Sequence, residues 1–328
     1  MQQIAHHIEA GTVLDHVLSD YLAGQLTEGT RRIYNCDIRQ VFGGVPTWED
    51  VTSLRPEAVV MWRNEVWNGG KGLAATTINR KLTALKTFYD HLIARGMLQF
   101  NPCNPKLVRR IKEKKAPGAR LGISKEELEA LLAACHIGKN QRANVRDYTI
   151  ISLMYTCLLR RSEVAAFRWK DLERDGGRSL IVLPLTKGGA NDFVPVEQPV
   201  LDQLNHYYME MGGASTWLAH FGRPIEECPV FLALDNGHRG DPISGHGLNE
   251  IVQRRAKMAG LQPLSAHILR HTGITHLLMS GCSIVDVQIM ARHSDPKQTM
   301  AYAMMLRRLE NSPGRTLAQV VQAKRLRF

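Results

Sequence analysis

Along most of the chain apolar residues return every three or four positions, the repeat of a helix that buries one face. Positions 13, 14, 17, 18, 21 and 22 carry this repeat through residues 12–26, and Gly24 falls near its end. A second helix is expected over residues 27–42, bearing Arg31 and Arg32, and a third over 53–67, started by Ser53 or by the loop ahead of Pro56. The fourth, over 75–98, is the most regular. Ile78, Leu82, Leu85, Phe88, Tyr89 and Leu92 share one face, while Arg80, Lys81 and Lys86 lie off it. A basic face opposite a packed one suits contact with phosphates; a solvated charged face accounts for it equally well.

The second half reads differently. Ser124 followed by Glu127 makes a capping box at the start of SKEELEALLAACH. Residues 148–159 contain no charge and are expected to form a buried helix ended by Arg160 and Arg161, after which Ser162 and Glu163 open another helix running to residue 175. Only one stretch alternates with period two. SLIVLPLTKGGANDFVPV predicts a β-hairpin with Gly188 and Gly189 in the turn and Lys187 at the end of the first strand. Residues 197–264 are expected to give a helix, a Gly212-Gly213 loop, a short strand VFLAL and a helix from His246. The repeat then resumes in HILRHTGITHLLMSGC, with Ile274, Leu277 and Leu278 on one face and Gly281 as a stop, and in a short helix through Ile284, Val287, Met290 and Ala291. The fold class expected is therefore mainly α with a small β-sheet in the second domain.

Composition adds a partner class. The 328 residues carry 42 Lys plus Arg against 31 Asp plus Glu, a formal charge of +11 and a pI near 9.5, which favours a polyanion and nucleic acid first. Length and pattern imply two domains, with boundaries expected at 1–105 and 122–328. Between them, residues 106–121 form a basic linker that includes Arg109, Arg110 and Lys112. Six scattered cysteines without a C-x-x-C pair read as reduced thiols. With no apolar leader and no run of membrane-spanning length, a cytoplasmic, nucleoid-associated protein is expected.

Chemistry concentrates late in the chain. Extending the apolar stripe backwards from Ile274 lands on His267, Arg270 and His271, and a guanidinium on such a stripe needs an anionic partner, structural or substrate. His293 and Tyr302 follow. The i, i+4 pair His267 and His271 has the spacing of a zinc helix, but Ile268 stands where the general-base Glu of that motif belongs, so no metal is expected. Taken singly, Arg160 could cap a helix, Lys187 could be an exposed hairpin charge and Tyr302 a core aromatic.

Together, in the order Arg160, Lys187, His267-x-x-Arg270, His293, Tyr302, they resemble the signature of the tyrosine recombinase (phage integrase) family, and TCLLRRSEV resembles its first arginine box with Glu163 as the trailing acid. The resemblance covers nearly the whole chain. It implies a two-domain, C-shaped DNA clamp: a helical SAM-like core-binding domain, and a catalytic domain with a C-terminal tail helix. It also implies strand cutting and rejoining through a 3′-phosphotyrosyl intermediate and a Holliday junction, without cofactor or metal. In that scheme Tyr302 is the nucleophile, Arg160 and Arg270 fork onto the phosphate, and His293 hydrogen-bonds it. Lys187 protonates the leaving 5′ oxygen, His267 assists the proton at Tyr302, and Glu163 supports an Arg or His. Partners implied are a double-stranded target site, a homotetramer assembled on it and possible accessory DNA-bending proteins; the tail face of Leu317, Val320 and Val321 either packs on its own domain or, as the resemblance implies, docks on a neighbouring protomer. The start of the helical pattern near residue 12 leaves no room for an arm-site domain and favours a simple recombinase of a mobile element or replicon. Relaxation of DNA in the manner of a type IB topoisomerase, or regulation by a DNA-binding protein with a spent site, remain alternatives. Two positions depart from the family's usual glycine: Leu158, two before Arg160, and Arg292, directly before His293.

Overall fold

A computed structural model describes residues 15–24, 28–112, 122–183, 192–235, 237–293 and 295–310. The chain divides into two compact units, Met1–Pro117 and Gly118–Phe328.

The first unit is helical: α1 (Asp15–Ala23), α2 (Glu28–Phe42), α3 (Trp48–Ser53), α4 (Pro56–Trp67) and α5 (Ala75–Ala94). Pro56 occupies the first turn of α4, where its missing N–H costs nothing. The six-residue α3 is too short to show a repeat, and a Thr47–Asp50 capping box starts it. The six residues expected on the inner face of α5 are all buried, against Leu18, Tyr21, Ile38, Val51 and Val59. Lys81 corrects the reading of that helix. It is buried, with its ammonium 3.0 Å from the buried Asp37 carboxylate and in contact with Gln40, so it does not belong to an exposed basic face. Helix α5 packs against α1, α2 and α4, which covers more of its circumference than one apolar stripe, and the carboxylate of α2 makes burial of the ammonium tolerable. Arg80 also reaches Asp37 yet stays 42% exposed at its side chain, and Lys86 pairs with Asp90.

The described part of the basic linker, residues 106–112, packs on the first unit. Val108 is buried, Asn79 of α5 exchanges hydrogen bonds of 2.9 and 3.0 Å with the backbone of Ile111, and Arg110 donates to Thr83 at 2.8 Å.

In the second unit the helices are α6 (Lys125–Ala133), α7 (Gln141–Thr156), α8 (Arg161–Ala166), α9 (Gln198–Glu210), α10 (Ala214–Phe221), α11 (Gly245–Met258), α12 (His267–Met279), α13 (Ile284–Ala291) and α14 (Pro296–Glu310). Ser124 caps α6 with Glu127, as the box implies. Helix α7 begins at Gln141 rather than Tyr148. Its extra turn carries the fully buried Asp147, whose two oxygens accept from Arg146, Arg254 and Arg255, a neutralising set invisible to an apolar count. The helix expected over 162–175 stops at Ala166, and Leu172–Asp175 instead forms strand β1. With β2 (Arg178–Leu183) and β3 (Asp192–Val196) it makes an antiparallel sheet in the order β1-β2-β3. Ile181, Leu183, Val194 and Val196 point into the core, and Leu183 pairs with Asp192 where the described part of the hairpin ends. Lys187, Gly188 and Gly189 lie outside the described residues. VFLAL is not a strand: Leu232 makes a single bridge to Pro242, and the run is buried as irregular chain.

One close approach positions the site. Gly273 of α12 sits so near α7 that a Cβ there would lie 2.5 Å from the Tyr155 carbonyl and run into the side chain of Leu158. Gly273→Ala should therefore push α12 away from α7 and cost roughly 1–3 kcal/mol of stability, read as a lower midpoint in urea unfolding.

Candidate active site

Three turns of the second unit meet around the N-terminal half of α12. The first is Cys157–Arg160, between α7 and α8. There Leu158 adopts φ of 50°, a left-handed conformation that costs a branched residue about 1 kcal/mol or more. The second is the end of α13, where Arg292 does the same at φ of 53° and terminates the helix. The third is the start of α14, which carries Thr299 and Tyr302. Both positions that depart from the family's glycine thus occupy the backbone region that favours glycine.

Arg270 ties the first two turns together. It is 2% exposed, and its two terminal nitrogens donate to the carbonyls of Leu158 and Ala291. Burial, together with the neighbouring Arg160 and Arg292, pushes its pKa down to about 9, so the guanidinium remains charged near neutrality. Arg160, the N-cap of α8, is more open at 35% side-chain exposure. It donates to Glu163 Oε1 at 2.7 Å and to the Arg292 carbonyl at 2.7 Å. Glu163 Oε2 accepts from the Arg160 backbone N–H and from Arg292 Nη2, each at 2.7 Å. Burial raises the Glu163 pKa, but the Arg292 charge and the Arg160 hydrogen bonds outweigh it and hold the carboxyl below its ordinary range.

The imidazoles and the phenol form a second group. The Tyr302 hydroxyl contacts His271 Nδ1, their ring centroids 5.4 Å apart, and the His293 ring lies nearly parallel to Tyr302 at 6.5 Å. His267 meets His271 edge-on at 4.4 Å. His293 Nδ1 shares a 2.8 Å hydrogen bond with the hydroxyl of the fully buried Thr299. Desolvation followed by neighbouring cations lowers all three histidines, His271 and His293 to about 4, so both are neutral near pH 7. Leu158 packs with Ile274, Val287 and Ala291, and Tyr302 rests against that cluster.

Of the candidates taken from the sequence, Arg160, Glu163, Arg270, His293 and Tyr302 fall within this network, and His267 joins it through His271. Lys187 falls outside the described residues. Two contributors escaped the sequence reading. His271 was placed on the stripe beside Arg270 and weighed as half of a metal pair, but given no part in catalysis. Arg292 stood out only as a missing glycine. Among the described residues no group of three or more His, Cys, Asp or Glu is placed to hold a metal ion. Nor, among them, is any helix long and apolar enough to cross a membrane.

This site lies within residues 122–307, which match the model of the phage integrase family, and residues 18–96 match that family's N-terminal SAM-like domain. Tyrosine recombinase XerD of Pseudomonas aeruginosa is 27% identical over 310 residues, covering 90% of this chain and 95% of its own. A tyrosine recombinase of Synechococcus elongatus is 31% identical over 296 residues, covering 85% of each. Among solved structures, the Tn1549 transposon integrase in complex with transposon right end DNA superposes with a TM-score of 0.65 at 18% identity, over 89% of this chain and 94% of that one, a likeness of fold. With both of its units matched and relatives similar over nearly their full length, the chain belongs to the phage integrase family of tyrosine recombinases, enzymes of site-specific DNA recombination.

Proposed function

We propose that the protein cuts and rejoins double-stranded DNA at a specific site, with Tyr302 as nucleophile. The observation that carries this reading is the meeting of Arg160, Arg270, His293 and Tyr302 in one hydrogen-bonded and ring-packed cluster inside the family-matched segment. The Tyr302 oxygen attacks the scissile phosphorus and the bond to the 5′ oxygen breaks. A 3′-phosphotyrosine remains, whose retained bond energy lets the exchanged 5′ hydroxyl reverse the step without a nucleotide cofactor. Arg160 and Arg270 take the charge that develops on the non-bridging oxygens. Each terminal nitrogen of Arg270 spends one N–H on a carbonyl and carries a second, and Arg160 keeps N–H groups on its exposed side. His293 donates to the phosphate, Glu163 holds Arg160 and Arg292, and Lys187 protonates the leaving oxygen. The phenolic proton of Tyr302 passes to His271 Nδ1, and His267, packed on that imidazole, assists the transfer.

Charge supports the rest of the proposal. The exposed Arg31, Arg32, Arg80, Arg109, Arg110 and Lys112 of the first unit supply phosphate contacts, Lys86 shares its charge with Asp90, and Lys81 is left out because it is buried. The two units serve as core-binding and catalytic domains that both contact the duplex. Recombination proceeds through a Holliday junction in a tetramer joined by tails beyond residue 310, where Leu317, Val320 and Val321 lie outside the described residues, and takes place in the cytoplasm.

Nicked duplexes tiled across the DNA flanking the gene, incubated with wild type and Tyr302→Phe and run under denaturing conditions, test this directly. Wild type should leave a protein–DNA adduct; Tyr302→Phe should shift the same duplexes in native gels and leave none. Shifts without any adduct would return the protein to the class of DNA-binding regulators. Arg160→Ala should slow adduct formation by roughly 10²–10³-fold, the usual cost of removing a donor from an oxyanion site. Neutralising Arg31 and Arg32 together should weaken all duplexes alike and lower the slope of log affinity against log salt by about two, one for each phosphate no longer neutralised. The depressed histidines set a pH dependence of folding. In the unfolded chain they titrate near 6.5, so between about 6.5 and 4 the unfolded state binds more protons and stability falls as pH is lowered. Unfolding midpoints measured across that window should decline, and His271→Asn combined with His293→Asn should flatten the decline.

A further inference from the structure

Arg292 ends α13 in a conformation that a glycine would adopt without strain, and it places a guanidinium that is only 4% exposed within the protein. Both features cost free energy, and stopping a helix requires neither. What offsets them is a fan of hydrogen bonds. Nη2 donates to Glu163 Oε2 at 2.7 Å and to the Leu158 carbonyl at 3.2 Å, and Nη1 to the Met290 carbonyl at 3.0 Å. Among the described residues Nε has no hydrogen-bond partner, with Asp192 at the start of β3 3.9 Å away. The same residue offers its carbonyl to Arg160 Nη2 at 2.7 Å. Arg160 is therefore held at both ends of its fork by groups that Arg292 controls: one terminal nitrogen on the Arg292 carbonyl, the other on a carboxylate whose second oxygen is fixed by the Arg292 guanidinium.

We propose that Arg292 is a positioning residue for strand cleavage, locking Glu163 and the fork of Arg160 in the orientation that receives the scissile phosphate. This rests on the assignment of Arg160 to that phosphate. It extends the assignment to a side chain that makes no phosphate contact of its own, because it is buried with its terminal nitrogens turned to Glu163 and two carbonyls. Without them Glu163 keeps a single cationic partner and can swing, and the Arg160 fork loses its fixed plane. Ångström-scale misplacement of a charge-stabilising group slows the chemical step while leaving binding intact.

The test uses the full chain and the nicked-duplex pool from the flanking DNA, with single-turnover adduct formation and native gel shifts measured side by side. Arg292→Gly, which removes the backbone strain together with the guanidinium, should form adduct roughly 10- to 100-fold more slowly with an unchanged gel-shift midpoint. Millimolar guanidinium ion should recover part of the rate in this variant and none in wild type. Arg292→Lys keeps the charge but cannot span Glu163, Leu158 and Met290 at once, so it too should be slow. It decides the matter if Arg292→Gly fails to give a folded circular-dichroism spectrum. Cleavage at the wild-type rate by a folded variant of either kind overturns the proposal, as does a loss confined to DNA binding. Absence of adduct with wild type would instead remove the recombinase reading on which it stands.

Discussion

A buried arginine cannot shed its charge and needs acceptors for its N–H groups, and Arg270 draws two of them from the backbone of two turns. The carbonyls of Leu158 and Ala291 are free to accept because both turns leave regular helix, the first at the end of α7 and the second at the end of α13. One side chain on α12 thereby joins two loops that Arg160, Glu163 and Arg292 also bridge. Glu163 repeats the arrangement with charges reversed, a single carboxylate between two guanidiniums. The site is assembled by hydrogen bonds across turns more than by apolar packing. The left-handed backbone at Leu158 and Arg292 is held in place by these cross-turn bonds and by the burial of the Leu158 side chain.

The fold was legible where the repeat was long. The face of α5 and the stripe of α12 could be read directly, because each spans several turns; the first buries a continuous row, and in the second Arg270 and Ile274 are buried with Leu277 and Leu278 partly so. Reading failed where short elements depend on distant partners. Helix α3 and strand β1 have six and four residues, and the LERD of β1 carries three charges that no alternation rule would place in a sheet; its pairing with β2 decides it. Lys81 was misread for a related reason. Helical geometry gives the angular position of a residue but not whether a second helix covers that angle, and the buried Asp37 that makes the ammonium acceptable lies on another helix altogether.

The site was legible as an ordered set of residue types, because Arg, His and Tyr at those spacings have few other uses in combination. Geometry was not. Nothing in the spacing says that His271 rather than His267 meets the Tyr302 hydroxyl, since the two differ by one helical turn and either is able to face α14. Arg292 was visible as an anomaly, and its partner Glu163 sits more than a hundred positions away in the sequence, where only folding brings it within 2.7 Å.

Thr299 links two elements that a catalytic cycle would otherwise treat as separate. It lies three residues before Tyr302 on α14, so the two side chains project from nearly the same face of one helix, while its hydroxyl engages His293 across the turn. A hydroxyl can donate to a neutral imidazole or accept from a protonated one, so this contact tolerates either state of His293. It does not tolerate displacement of the helix. Any rotation or slide of α14 that carries the phenol toward or away from its target also stretches the bond at Thr299. Presenting the nucleophile and aiming the histidine are thus geared together through one turn of helix.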